Sequence, residues 1–106
     1  MSNFMRVFVM FDLPTNTKTE RGDATRFRNA LVKSGFYMLQ FSVYVRLCAN
    51  TEAAKAIADS VHKKIPTKGT VRVMIVTEKQ YNNMYILLGP KYSQESFLDD
   101  DGNLFF

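Results

Sequence analysis

The sequence has a single cysteine and no long apolar run, and each shortage excludes a class of protein. Cys48 is the only cysteine among 106 residues, so an internal disulfide and a cysteine-based zinc site are both excluded. A lone cysteine suits a small buried side chain in a reducing compartment, which predicts a cytoplasmic protein. No run of about 18 or more apolar residues is present, so no membrane span is expected. The N-terminus has no signal-peptide pattern.

Positive charge is concentrated in the first 90 residues. Residues 1–90 carry 13 Lys and Arg against 6 Asp and Glu, a balance of +7, whereas residues 91–106 have a balance of −3. The length fits one domain. We therefore predict a folded basic domain over residues 1–90, followed by an acidic tail over residues 91–106. The basic excess indicates a polyanionic partner, and the alternative is an ordinary solvated surface.

The spacing of apolar residues predicts the element order β-α-β-β-α-β. The first strand covers residues 5–12, and Thr17 with Glu20 forms a capping box that opens a helix ending at Gly35. Three more strands are expected over residues 36–40, 42–48 and 71–77. A second helix is expected between Asn50 and Pro66, with Ile65 facing inward. Residues 78–83 read as a turn or short helix, and residues 84–88 as a fifth strand.

Two helices between four strands predict an α+β ferredoxin-like sandwich, here with an extra C-terminal strand. Both helices then cover one face of the sheet, and the other face of a monomer should be polar. The first strand instead carries Phe8 and Met10 on the face opposite Val7, Val9 and Phe11. In the last strand Val71, Val73 and Ile75 alternate with Arg72, Met74 and Val76, so both of its faces are mostly apolar as well. We therefore predict a homodimer packed sheet to sheet, in which the fifth strand reaches the partner's sheet edge.

Asp12 is the main candidate for chemistry. It ends the first strand, because Pro14 cannot continue a β ladder. One carboxylate cannot build a metal site, but a twofold axis near the strand end would bring two copies of Asp12 together. Paired carboxylates suit Mg²⁺, which could polarise a phosphodiester and activate water. The alternative is that Asp12 only caps the turn before the helix.

The first helix carries cations that suit phosphate oxygens. Arg21 and Arg28 are predicted to share one flank of this helix, and Arg26 and Lys33 the other. Ser42, between the two middle strands, is a further candidate for phosphate contact. The alternatives are a solvated helix and a serine that only shapes the hairpin bend.

The order and spacing of three segments resemble a known family. Residues 10–14, 35–36 and 40–44 read MFDLP, GF and QFSVY, with the arginine-rich helix between the first two. This pattern resembles CRISPR-associated protein two, a small spacer-acquisition protein, over about residues 5–90.

The resemblance implies a ferredoxin-like homodimer in which Asp12 of each subunit binds one Mg²⁺, with Mn²⁺ as an alternative ion. It implies metal-dependent endonuclease activity on RNA or double-stranded DNA. It also implies a non-catalytic bridge between dimers of the larger CRISPR integrase subunit. Many members have tyrosine where this chain has Phe11, so a hydroxyl role at that position is lost.

Two other function classes share the predicted topology. An RRM-like module would bind single-stranded RNA on aromatic side chains of an open sheet face, with Phe8 or Phe11 as candidates. No RNP1-like string is present. A regulatory domain would instead bind a small molecule, and its basic excess would be incidental.

Overall fold

The computed structural model describes residues 3–90, and within them the predicted element order is confirmed. Residues 91–106, where the acidic tail is predicted, lie outside the described residues. The elements are β1 (Met5–Asp12), α1 (Lys18–Lys33), β2 (Tyr37–Gln40), β3 (Val43–Cys48), α2 (Thr51–His62), β4 (Thr70–Thr77) and α3 (Glu78–Asn82). The predicted turn or short helix over residues 78–83 is thus a short helix over Glu78–Asn82.

The four strands form one sheet in the order β2-β3-β1-β4, with every neighbouring pair antiparallel. β1 and β3 are central, and β2 and β4 are the edges. With both helical crossovers on one side, this is the predicted ferredoxin-like α+β fold. The pairing of β1 with β4 extends to Asp12, which lies opposite Thr70. The last residue of β1 is therefore held in a regular ladder.

Local signals start both long helices where the sequence predicts, and they also end α1 at the predicted place. The Thr17 side chain accepts a hydrogen bond from the Glu20 amide, and the Glu20 carboxylate accepts one from the Thr17 amide. Gly35 follows α1 with φ of 90°, a conformation that glycine adopts without a Cβ penalty. α2 ends at His62, earlier than predicted, so Ile65 lies beyond the helix and is 41% exposed. The prediction that Ile65 faces inward is wrong.

The main core lies between the sheet and the two long helices. Alternation along β1 turns Val7, Val9 and Phe11 toward the helices, where they pack with Phe27 and Leu31 of α1. α2 adds two small side chains, and β3 adds two more residues to the same cluster: Ala54, Val61, Tyr44 and Cys48. Across residues 3–90 no helix has the length and apolar character needed to cross a bilayer.

The second face of the sheet is partly covered by the chain itself. α3 follows β4 directly and places Tyr81 against Phe8 and Val45, in a second apolar cluster. Phe8 is only 8% exposed as a result. Met74 of β4 is 46% exposed on the same face, because α3 does not extend over it. Within residues 3–90 part of this face is therefore uncovered, and its coverage by a second copy stays a prediction.

The predicted fifth strand is absent from the described chain. Residues 84–88 have no strand assignment. Their apolar side chains are largely exposed, with Leu87 at 93% and Leu88 at 96%. A strand exists only when its backbone groups pair with a neighbour, and within residues 3–90 this segment has no ladder partner. Pairing with the sheet edge of a second copy stays a prediction.

Candidate functional site

Asp12 is exposed at the end of β1, and the loop before β4 packs closely against its backbone at Gly69. Gly69 has φ of 99°, and a Cβ at that position would lie 2.6 Å from the Asp12 carbonyl oxygen. Only glycine therefore fits beside the strand end without movement of the backbone. The backbone that carries the carboxylate is therefore tightly packed at the end of this central strand.

The two residues that precede the loop at the end of β1 point in opposite directions. Phe11 is buried on the helix side, 5.2 Å from the Phe27 ring and 5.7 Å from the Tyr44 ring between centroids. Successive side chains of a strand alternate between faces, so Asp12 lies on the face of Phe8 and Met10. The carboxylate is thus on the side of the sheet that the long helices leave uncovered.

The hydrogen bonds of α1 exclude a capping role for Asp12. Thr17 is the N-cap of α1 and forms the complete capping box with Glu20. Within residues 3–90 the Asp12 carboxylate makes no hydrogen bond and no ion pair. The alternative in which Asp12 only caps the turn is therefore wrong, and the carboxylate is available to a ligand.

The four α1 cations that the sequence singles out are not gathered around that carboxylate. α1 packs on the opposite face of the sheet, and its 16 residues spread the cations along the helix. Arg21 and Lys33 are separated by about 18 Å at 1.5 Å per residue. Arg21 donates to the Thr15 and Asn16 carbonyls. The helix layer therefore presents its own basic surface.

Two of the remaining cations on that surface have neighbours within α1. Arg26 pairs with Asp23 at 2.8 Å between Nη1 and Oδ1, which neutralises part of its charge. Arg28 donates to the Thr25 hydroxyl at 3.3 Å. Lys33, in the last turn of the helix, is exposed. Binding of phosphates by these residues stays a prediction.

Ser42 shapes the turn between β2 and β3. Its φ is 63°, the left-handed region that a serine adopts only at some cost. Its carbonyl accepts a hydrogen bond from the Phe11 amide at 3.1 Å, which brings the turn to the same sheet edge as Asp12. The hairpin-bend interpretation is confirmed, and phosphate contact by its hydroxyl stays a prediction.

Residues 3–90 of one chain do not supply a full set of ligands for a divalent metal ion. In the part of the chain that the structure describes, no group of three or more His, Cys, Asp or Glu side chains comes together. Mg²⁺ requires an octahedron of oxygens, and a single carboxylate leaves its capture weak. A metal at Asp12 would therefore need further oxygen ligands from outside residues 3–90, and a second copy of Asp12 as their source stays a prediction.

The sequence interpretation missed a buried polar network on the second face. Arg6 and Glu78 are each 1% exposed and form a bidentate pair, with 2.7 Å from Nε to Oε1 and 3.0 Å from Nη2 to Oε2. The Arg6 guanidinium lies 4.4 Å from the Tyr81 ring centroid and donates to the Tyr37 hydroxyl. A charged residue inside an apolar strand was the available signal.

Burial disfavours the charged form of Arg6, but the hydrogen bonds and negative charge of Glu78 outweigh that effect. The pKa of Arg6 is therefore raised above its ordinary value. The pair anchors α3 to β1, and it commits the Arg6 guanidinium to a structural role.

Neither aromatic candidate for RNA stacking is accessible. Phe8 and Phe11 are each 8% exposed, one beneath Tyr81 and the other in the main core. An RRM-like platform requires open aromatic rings on the sheet face, so that interpretation loses its basis within this chain.

A cleft of about 400 Å³ lies between the end of β2 and residues 84–90, and no charged residue lines it. It is unsuited to phosphate.

Fold and site together define a small, basic ferredoxin-like protein with one unpartnered carboxylate at the end of its first strand. The family model described as CRISPR associated protein Cas2 matches residues 5–84. The chain belongs to this family, which confirms the resemblance drawn from its motifs.

Curated relatives agree with the family match. The chain is 51% identical over 86 residues to a "CRISPR-associated endoribonuclease Cas2" of Campylobacter jejuni, covering 81% of this chain and 60% of the relative. Proteins of the same name match at 44% identity in Ligilactobacillus salivarius, over 85% of this chain and 89% of the relative. A Treponema denticola relative of the same name is also 44% identical, over 94% of this chain and 97% of the relative. The chain thus spans less than two thirds of the Campylobacter relative and most of the other two.

Proposed function

We propose that two copies of this chain form a metal-dependent endonuclease that cleaves phosphodiester bonds in RNA or DNA. One observation carries this proposal: Asp12 is exposed at the end of β1, on the face turned away from the long helices, with no partner in residues 3–90. The endoribonuclease name of the relatives supports RNA as a substrate. The lone Cys48 suits a reducing cytoplasm as the place of action.

A second copy would supply what one chain lacks. If the uncovered parts of two sheets pack together, each Asp12 lies on the face that meets the partner. Without an ion the two carboxylates would repel one another, so the paired site favours a divalent cation, Mg²⁺ or Mn²⁺. Bound there, the ion would polarise a phosphodiester and make water a stronger nucleophile.

We further propose that the same dimer binds duplex DNA and bridges the CRISPR integrase subunits during spacer acquisition. The balance of +7 over residues 1–90, doubled in a dimer, supports binding to a polyanion. Contacts to the phosphate backbone would be largely independent of sequence. Affinity should then fall with salt, with a log–log slope of about −0.9 for each phosphate neutralised.

Asp12→Asn separates cleavage from bridging, because it keeps the shape of the side chain and removes its charge. We expect the variant to lose Mg²⁺-dependent cleavage of labelled RNA and duplex DNA. It should still support integration of a duplex by the integrase, since a bridge requires DNA contacts and no hydrolysis. Retained cleavage would remove Asp12 from the reaction. Loss of integration by an intact, DNA-binding dimer would refute the bridging role.

A further inference from the structure

We propose that Arg72 of β4 binds a phosphate oxygen beside Asp12, and that it does so in preference to the cations of α1. This inference rests on the proposed function of Asp12 and names the side chain that offsets its charge. A carboxylate repels a phosphodiester, so a site built on Asp12 needs positive charge on the same surface. The sheet itself offers few sources of that charge.

Three arginines and no lysine lie on the strands within residues 3–90. Arg6 is buried and committed to Glu78. Arg46 lies opposite Val7 on the helix side, and its Nη1 donates to the Ser34 carbonyl at 2.6 Å, at the end of α1. Arg72 is exposed, and its side chain forms no hydrogen bond or ion pair within the described range.

The strand register places Arg72 on the face of Asp12. Arg72 lies directly opposite Met10, and Asp12 lies opposite Thr70. Opposite residues of an antiparallel pair project from the same face, and so do residues two apart in one strand. Asp12 and Arg72 are therefore diagonal neighbours, with Cα atoms about 7–8 Å apart, a distance that long side chains bridge.

The two side chains are close enough to share a ligand and do not neutralise one another. No ion pair joins Asp12 to Arg72 within 4.0 Å. A phosphate group fits this arrangement, because a guanidinium fork donates two parallel hydrogen bonds to its oxygens. The α1 cations lie on the other layer of the sandwich, where Arg28 already donates to Thr25. Arg28 is thus the competing candidate on α1 against which Arg72 is compared.

The test compares Arg72→Ala, Arg72→Lys and Arg28→Ala in the full chain. The measurements are cleavage of a labelled RNA oligonucleotide with Mg²⁺, and the salt dependence of binding to a DNA duplex. Arg72→Ala should lower cleavage by roughly 10- to 150-fold, the loss expected for one charge-assisted hydrogen bond. It should also flatten the salt slope by about 0.9 per site. Arg72→Lys should restore the slope and only part of the rate, since a lysine keeps the charge and loses the fork.

The outcomes distinguish this inference from the proposed function. Cleavage and salt slope unchanged in Arg72→Ala, or a larger loss of cleavage in Arg28→Ala, overturn the assignment and leave the role of Asp12 intact. A fall in the solution mass of Arg72→Ala from two chains to one overturns the assignment as well, because Arg72 would then be a dimer contact. If the wild-type protein binds the DNA duplex but does not cleave RNA, the salt slope of Arg72→Ala compared with that of wild type alone decides the assignment of Arg72. Wild type that binds neither nucleic acid overturns both proposals.

Discussion

The buried pair of Arg6 and Glu78 gives the sharpest test of how this fold is held together. Glu78→Gln keeps the side-chain volume and removes the negative charge, so the guanidinium is left buried and unbalanced. Breaking a buried pair on one side costs about 3–5 kcal/mol. A domain of this size has a free energy of unfolding of roughly 5–15 kcal/mol. The substitution should therefore remove a large part of the stability.

A surface pair in the same chain provides the control. Arg26 and Asp23 are joined at 2.8 Å, almost the 2.7 Å of the buried pair, but their side chains are 77% and 34% exposed. Asp23→Asn should cost no more than about 1 kcal/mol, because solvent screens the pair. Since the two shortest distances are similar, a difference between the two variants reports burial together with the second hydrogen bond of the bidentate pair.

Urea denaturation followed by circular dichroism measures the free energy of unfolding of both variants under one condition. In a thermal melt, a change of 1 kcal/mol shifts the melting temperature by about 4–8 °C, so a loss of about 3 kcal/mol in Glu78→Gln lowers it by roughly 12–24 °C. Replacing both partners by apolar residues, as in Arg6→Met with Glu78→Leu, should recover much of that loss. A cost under about 1 kcal/mol for Glu78→Gln would refute the reasoning and show that water reaches the guanidinium.

Three further predictions follow from the packing. Gly69→Ala should destabilise the protein by about 1–3 kcal/mol in the same urea titration, because the new Cβ meets the Asp12 carbonyl at a positive φ. Gly22→Ala has open space around the new Cβ and should stabilise α1 by about 0.5–1 kcal/mol. Equal effects of the two variants would contradict the geometry. Burial raises the pKa of the Cys48 thiol, so thiol labelling of the protein at neutral pH should occur only after unfolding. The stability that the neutral thiol contributes should be lost as the pH rises above the unfolded pKa of 9.0. Rapid labelling of the native protein would contradict this prediction. Met74→Lys should lower the mass in light scattering from two chains to one without unfolding the domain, since Met74 is exposed in one chain; an unchanged mass would place the dimer contact elsewhere.

The sequence alone determined the order of the four strands and the two long helices, because each of them depends on signals between near neighbours. The capping box at Thr17, the stop at Gly35 and the alternation along β1 act over a few residues, and all three are present in the structure. Asp12 could be singled out for the same reason, as a carboxylate that directly follows an apolar strand. The family could be recognised because its motifs are short and lie in a set order.

Only the tertiary structure decided which side chains share a surface. Asp12 and the α1 cations are close in sequence, yet strand alternation and the packing of α1 place them on different layers. Arg72 is 60 positions from Asp12, and only the register of β1 with β4 makes it a neighbour. The pairing of Arg6 with Glu78 spans 72 positions and depends on α3 folding back across the sheet. Residues 84–88 have strand-like composition and no strand, because a ladder depends on a partner that local sequence does not supply.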